Sequence, residues 1–71
     1  MNLQDSLRRA QKLAGEQNRD MVVGRDEAGH WTILPLSDSR SDALSPSLIV
    51  DRDGLRYPED HALVSALIAR Q

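Results

Sequence analysis

The 71-residue chain contains no cysteine and no phenylalanine, and its aromatic residues are one tryptophan and one tyrosine. Without cysteine the protein has no disulfide, no thiol catalysis and no cysteine-based zinc site. A chain without cysteine is typical of the reducing cytoplasm, and we expect a cytoplasmic protein. So few aromatic side chains argue against a single-strand nucleic-acid binder, which stacks bases on aromatic rings.

Long apolar runs are also missing. No segment approaches the roughly 20 apolar residues that a membrane span needs, so we expect no membrane partner. Residues 1–5 lack the basic and apolar regions of a signal peptide.

The length predicts a single domain over residues 1–71, and a domain this small buries only about 60% of its unfolded surface. Small domains with so thin a margin of stability often dimerise, bind a metal or form disulfides. As a partner we expect another protein, or a second copy in a homodimer.

An excess of basic residues is absent as well. Nine basic residues against eleven acidic ones give a formal net charge of −2, whereas phosphate binding usually brings a basic excess. The charges are uneven, because residues 1–19 have a balance of +2 and residues 38–60 a balance of −3. Eight of the nine basic residues are arginine, which we interpret as a sign of a GC-rich bacterial or phage gene.

The richest cluster of strand-forming residues lies in the middle of the chain. Two apolar runs at residues 20–25 and 30–36 flank Asp26-Glu27-Ala28-Gly29, a pattern that predicts a β-hairpin. The second run is apolar on both faces, which favours a central strand or a strand with one face used by a partner. Because Pro35 has no backbone N–H, we expect pairing to end there or to be one-sided.

Helical spacing predicts α-helices at both ends of the chain. In residues 3–16, apolar side chains recur on one face, after Asn2 as N-cap and before Gly15 and Asn18 as stop signals. A second helix over residues 59–70 follows Pro58. The apolar residues predicted to be buried by the two helices are Leu3, Leu7, Ala10, Leu13, Ala14, Leu63, Val64, Leu67 and Ile68.

Between the first hairpin and the last helix, we expect a mobile serine-rich loop over residues 37–46, in which a short helical turn at residues 42–44 is an alternative. Strands at residues 48–50 and 55–57 then flank Asp51-Arg52-Asp53-Gly54, a typical turn sequence. The chain is therefore predicted to be a small α+β domain of order αββββα. Its two helices pack on one face of an antiparallel sheet.

Motifs that would indicate catalysis or cofactor binding are missing. Asp51-Arg52-Asp53-Gly54 resembles the start of a calcium loop, but the first ligand position would fall on Ile49, so a hairpin turn is favoured. His30 and His61 are not spaced as metal ligands, and no nucleophile elbow or phosphate-binding loop is present. We expect no metal, no cofactor and no enzymatic activity.

Two sets of residues remain as candidates for partner binding. Trp31 is of a type enriched at binding hot spots, although a lone tryptophan is more often part of the core. The basic residues Arg8, Arg9 and Lys12 lie on the first helix, where Asp5–Arg9 and Lys12–Glu16 pairs would neutralise part of their charge. The sequence favours a non-catalytic protein-binding module, such as a bacterial or phage inhibitor or adaptor. The alternative is a nucleic-acid-binding or regulatory protein that uses the basic helix.

Overall fold

The computed structural model describes residues 2–70, apart from the side chain of Pro58. Two helices and a four-stranded antiparallel sheet form the predicted α+β domain. A 3₁₀ helix at Ser39–Ala43 separates the two hairpins. The elements are α1 (Leu3–Gln17), β1 (Met21–Arg25), β2 (Trp31–Pro35), β3 (Ser47–Asp51), β4 (Gly54–Leu55) and α2 (Pro58–Ala69). The strand order in the sheet is β2-β1-β3-β4.

Helix α1 begins and ends at capping asparagines. The Asn2 Oδ1 atom accepts a hydrogen bond from the Asp5 backbone N–H at 2.8 Å, which confirms Asn2 as the N-cap. At the other end Asn18 adopts the left-handed conformation, with φ of 54°, and stops the helix. Gly15 lies inside the helix, so its interpretation as a stop signal was wrong.

The central strand is β1, which pairs with β2 on one side and β3 on the other. Its first four residues are buried, whereas every residue of β2 is half-buried. The interpretation of the second apolar run as a central strand was therefore wrong, because β2 lies at an edge of the sheet. One-sided pairing at Pro35 is confirmed.

A single apolar core lies between the sheet and the two helices. Helix α1 packs across all four strands, whereas α2 contacts β4 and contributes the buried Val64 to the same core. Ser6 is a polar residue outside the predicted apolar face of α1, yet it is fully buried. Its hydroxyl donates a hydrogen bond to the Asn2 carbonyl at 2.9 Å. The buried core residues are Leu3, Ala10, Ala14, Met21, Val23, Leu48, Val50 and Val64.

The opposite face of the sheet is partly covered by the serine-rich segment. Its 3₁₀ helix ends before Leu44, which is only 8% exposed and lies directly over Gly24 of β1. Val22, on the same face of β1, is 3% exposed. The segment therefore contributes an apolar anchor to the fold, while its predicted mobility stays a prediction.

The second hairpin is shorter than predicted. Strand β4 contains only Gly54 and Leu55, and the chain then enters α2, with Tyr57 as N-cap. The Arg56 backbone N–H still donates to the Ile49 carbonyl at 3.0 Å, so the chain stays beside β3 until the helix begins. Asp51 and Gly54 pair across the turn, which confirms the hairpin interpretation of this sequence.

Candidate partner-binding surfaces

Trp31 lies at the start of β2, on the face of the sheet that carries the helices. Its side chain is half-buried and packs against the edge of the core. The guanidinium carbon of Arg25, its neighbour on β1, lies 4.7 Å from the centre of the indole ring. A cation over an exposed ring contributes about 0.5–1 kcal/mol. Trp31 thus belongs to both the core and the surface.

The free edge of β2 can be assigned from the hydrogen bonds at the two ends of the first hairpin. The Leu36 backbone N–H donates to the Asp20 carbonyl at 3.1 Å, and the Asp26 N–H donates to the His30 carbonyl at 3.0 Å. Antiparallel bonding alternates with a period of two residues, so even-numbered residues of β2 bond to β1. The residues whose backbone groups point away from the sheet are Trp31, Ile33 and Pro35.

Pro35 limits the length of this free edge. It has no N–H to offer, and its carbonyl accepts a hydrogen bond from the Asp38 N–H at 2.9 Å. Within residues 2–70, β2 pairs with β1 alone. The edge therefore presents the N–H groups of Trp31 and Ile33 as donors, together with the carbonyls of the same residues.

Two carboxylates organise the loops at either end of β2. The backbone N–H of His30 donates to Asp26 Oδ1 at 3.0 Å, and this bond is the main reason why the pKa of Asp26 is lowered. Arg40 donates to both carboxylate oxygens of Asp38 and lowers its pKa to about 2. Both groups are charged at neutral pH and act as hydrogen-bond acceptors that hold the chain in place.

The basic residues of α1 are all exposed, as expected for a helix surface. The Lys12 Nζ atom lies 4.0 Å from Glu16 Oε1, whereas no Asp5–Arg9 ion pair is formed in the described part of the chain. Arg8 and Lys12 border a shallow depression at the side of the helix. Arg9 is not among the residues that line it.

A third basic residue, Arg52, borders the same depression and was missed by sequence reasoning. It comes from the turn between β3 and β4, and its carbonyl accepts a hydrogen bond from Gln11 Nε2 at 3.0 Å. Gly15 also lines the depression, and a Cβ atom added to it would lie 3.7 Å from the Arg52 Cβ. No local pattern could reveal this neighbour, because Arg52 is 41 residues from Gln11 along the chain.

The two histidines are separate and exposed. His30 lies before β2 and His61 in the first turn of α2. Across residues 2–70, no three histidine or acidic side chains come together in a group that could hold a metal ion. In the second turn, the Asp53 N–H donates to Asp51 Oδ1 at 2.8 Å, so this carboxylate is engaged in the turn itself.

The outer surface of α2 was predicted incorrectly. Leu63, which was expected to be buried, is 38% exposed, while Val64 faces the core and Leu67 and Ile68 are half-buried. At about 100° per residue, these four apolar positions span about 140° of the helix, and Leu63 lies at one margin. The exposed alanines beside it are Ala62, Ala66 and Ala69.

Neither α1 nor α2 is long and apolar enough to cross a membrane, and the other described residues contain no such helix. Comparison with known proteins found no matching family model, curated protein or solved structure.

Proposed function

We propose that the protein is a non-catalytic, cytoplasmic protein-binding module, acting as a bacterial or phage inhibitor or adaptor, that binds its partner along the free edge of β2. One observation carries the proposal. A five-residue, half-buried, apolar strand lies at the edge of the sheet with the N–H groups of Trp31 and Ile33 unpaired by a neighbouring strand. The absence of cysteine supports the cytoplasmic location.

An edge of this kind suits the addition of a strand from another protein. Backbone hydrogen bonds supply affinity in such complexes, and alternate side chains supply specificity. Here the backbone donors belong to Trp31 and Ile33, and the Trp31–Arg25 stack offers a rigid aromatic anchor beside them. Pro35 ends the donor row, which restricts a partner strand to the Trp31 end of β2.

Removal of one edge donor tests this proposal. A chain of 71 residues can be assembled by chemical synthesis, so Ile33 can be replaced by N-methyl isoleucine, which keeps the side chain. We expect this change to leave the fold intact and to abolish capture of the partner from nuclease-treated host lysate, read by mass spectrometry. Trp31→Ala should also reduce capture.

Two controls make the experiment decisive. N-methylation of Leu34, whose N–H points toward β1, should instead disrupt the sheet, as circular dichroism would show. Tyr57→Ala removes the other aromatic side chain, which is 47% exposed and lies away from β2, and should leave capture unchanged. A partner that binds the N-methyl Ile33 protein as well as the unmodified one would refute edge binding.

The second candidate function, nucleic-acid binding, gains support from Arg52. Arg52 lines the same depression as Arg8 and Lys12 and adds a third positive charge to its border, although Glu16 pairs with Lys12 there. Contacts between basic side chains and phosphates make binding strongly dependent on salt.

Charge reversal distinguishes this candidate from protein binding. If it is correct, the protein shifts a fluorescent DNA or RNA oligonucleotide at low salt, and binding weakens steeply as salt rises. Arg8→Glu with Arg9→Glu should abolish the shift, and Arg52→Glu should weaken it. Arg8→Lys with Arg9→Lys, which keeps the charge, should retain it. Absence of any shift by the unmodified protein at low salt would exclude this function.

A further inference from the structure

The outer face of α2 carries apolar surface with opposite charges at its two ends. Leu63 and the alanines at 62, 66 and 69 are exposed between Glu59 in the first turn and Arg70 just after the last. Neither Glu59 nor Arg70 forms an ion pair with another described residue. We propose that this face is a dimer interface, on which α2 of a second copy lies antiparallel.

Helical geometry places the relevant side chains in one stripe. At about 100° per residue, Glu59, Leu63, Ala66 and Arg70 fall within about 60° of one another around the helix axis. The buried Val64 lies about 100° from Leu63, on the side toward the core. The stripe therefore points away from the domain, where a second helix can approach it.

An antiparallel partner matches this stripe in both charge and shape. If the two-fold axis passes between residues 64 and 65, Glu59 lies opposite Arg70 of the second copy, and Leu63 lies opposite Ala66. Two-fold symmetry repeats each contact. The interface then has an ion pair at each end, and between them each leucine packs against an alanine of the other copy. The helix dipoles are also opposed, and each acidic first turn lies beside Arg70 of the second copy, which directly follows the last turn of α2.

The size of α2 sets the strength expected of the dimer. Twelve residues make a helix of about 18 Å, and a contact of this length is smaller than the standard interface of about 1,600 Å². We expect a reversible dimer with a dissociation constant on the order of 100 µM. The exposed ion pairs should make it weaker at high salt.

Two variants with opposite charge reversals test the pairing directly. Their self-association, alone and mixed, is measured by sedimentation equilibrium. Glu59→Arg and Arg70→Glu should each weaken self-association by about tenfold, because each places like charges opposite one another. An equimolar mixture of the two should restore association, since every 59–70 contact in the mixed dimer joins opposite charges. Loss of helix stability in the variants cannot produce this restoration.

Further variants separate the stripe from the rest of α2. Leu63→Glu should abolish the dimer, whereas Ser65→Glu, on a different side of the helix, should leave it unchanged. Glu27→Arg, a matched charge change in the first hairpin turn, should also dimerise normally. A protein that stays monomeric at millimolar concentration would overturn the proposal, and so would a mixture that fails to associate. Neither result would bear on partner binding at β2, which uses a different surface.

Discussion

Leu48→Ala is expected to lower the free energy of unfolding by about 2–5 kcal/mol, the usual cost of truncating a buried leucine. Leu48 is fully buried on β3 and lies in the core between the sheet and the helices. A domain of 71 residues has a total stability of roughly 4–11 kcal/mol at about 0.05–0.15 kcal/mol per residue. The loss of one side chain should therefore remove a large share of the stability.

Leu63→Ala provides the matched comparison for this truncation. The same atoms are removed, but from a side chain that is 38% exposed, so the expected loss is below about 1 kcal/mol. Urea denaturation followed by circular dichroism measures both values, at a protein concentration low enough to keep the chain monomeric. Equal losses would mean that Leu63 is buried, and would remove the exposed leucine on which the α2 dimer depends.

Features with a local cause could be predicted from the sequence. The spacing of Leu3, Ala10 and Ala14 indicates the buried face of α1, and the side chain of Asn2 can reach only the N–H groups of the next few residues. The two turns are specified by their own short sequences. Because each of these elements depends on near neighbours, the order αββββα was predicted correctly.

Features that depend on distant parts of the chain could not be predicted. The sequence of an apolar strand such as β2 does not show whether the strand lies at the centre or at the edge of a sheet. Its position depends on how all the strands pair with one another. Leu63 belongs to the apolar set of its helix, and only the position of α2 beside the sheet leaves it exposed. Arg52 reaches the basic residues of α1 through the fold alone.

Gly24→Ala is expected to destabilise the domain by about 1–3 kcal/mol through overpacking. A Cβ atom at residue 24 would lie 2.6 Å from both the Leu44 Cβ and the Pro46 carbonyl oxygen, which is too close for either contact. The Ser45 N–H donates to the Arg25 carbonyl at 3.0 Å, so the segment cannot move aside without losing a hydrogen bond. The alanine would push Leu44 off the sheet.

Gly15→Ala is the control, because the same methyl group should have the opposite effect there. Gly15 lies inside α1, and its new Cβ would make an ordinary 3.7 Å contact with the Arg52 Cβ. Replacing a helical glycine by alanine raises the free energy of unfolding by about 0.5–1 kcal/mol. Urea denaturation of the two variants measures whether each change raises or lowers the free energy of unfolding. If Gly24→Ala proved neutral, residues 44–46 would not be fixed over β1. The face around Val22 would then be open to a partner, in competition with the β2 edge.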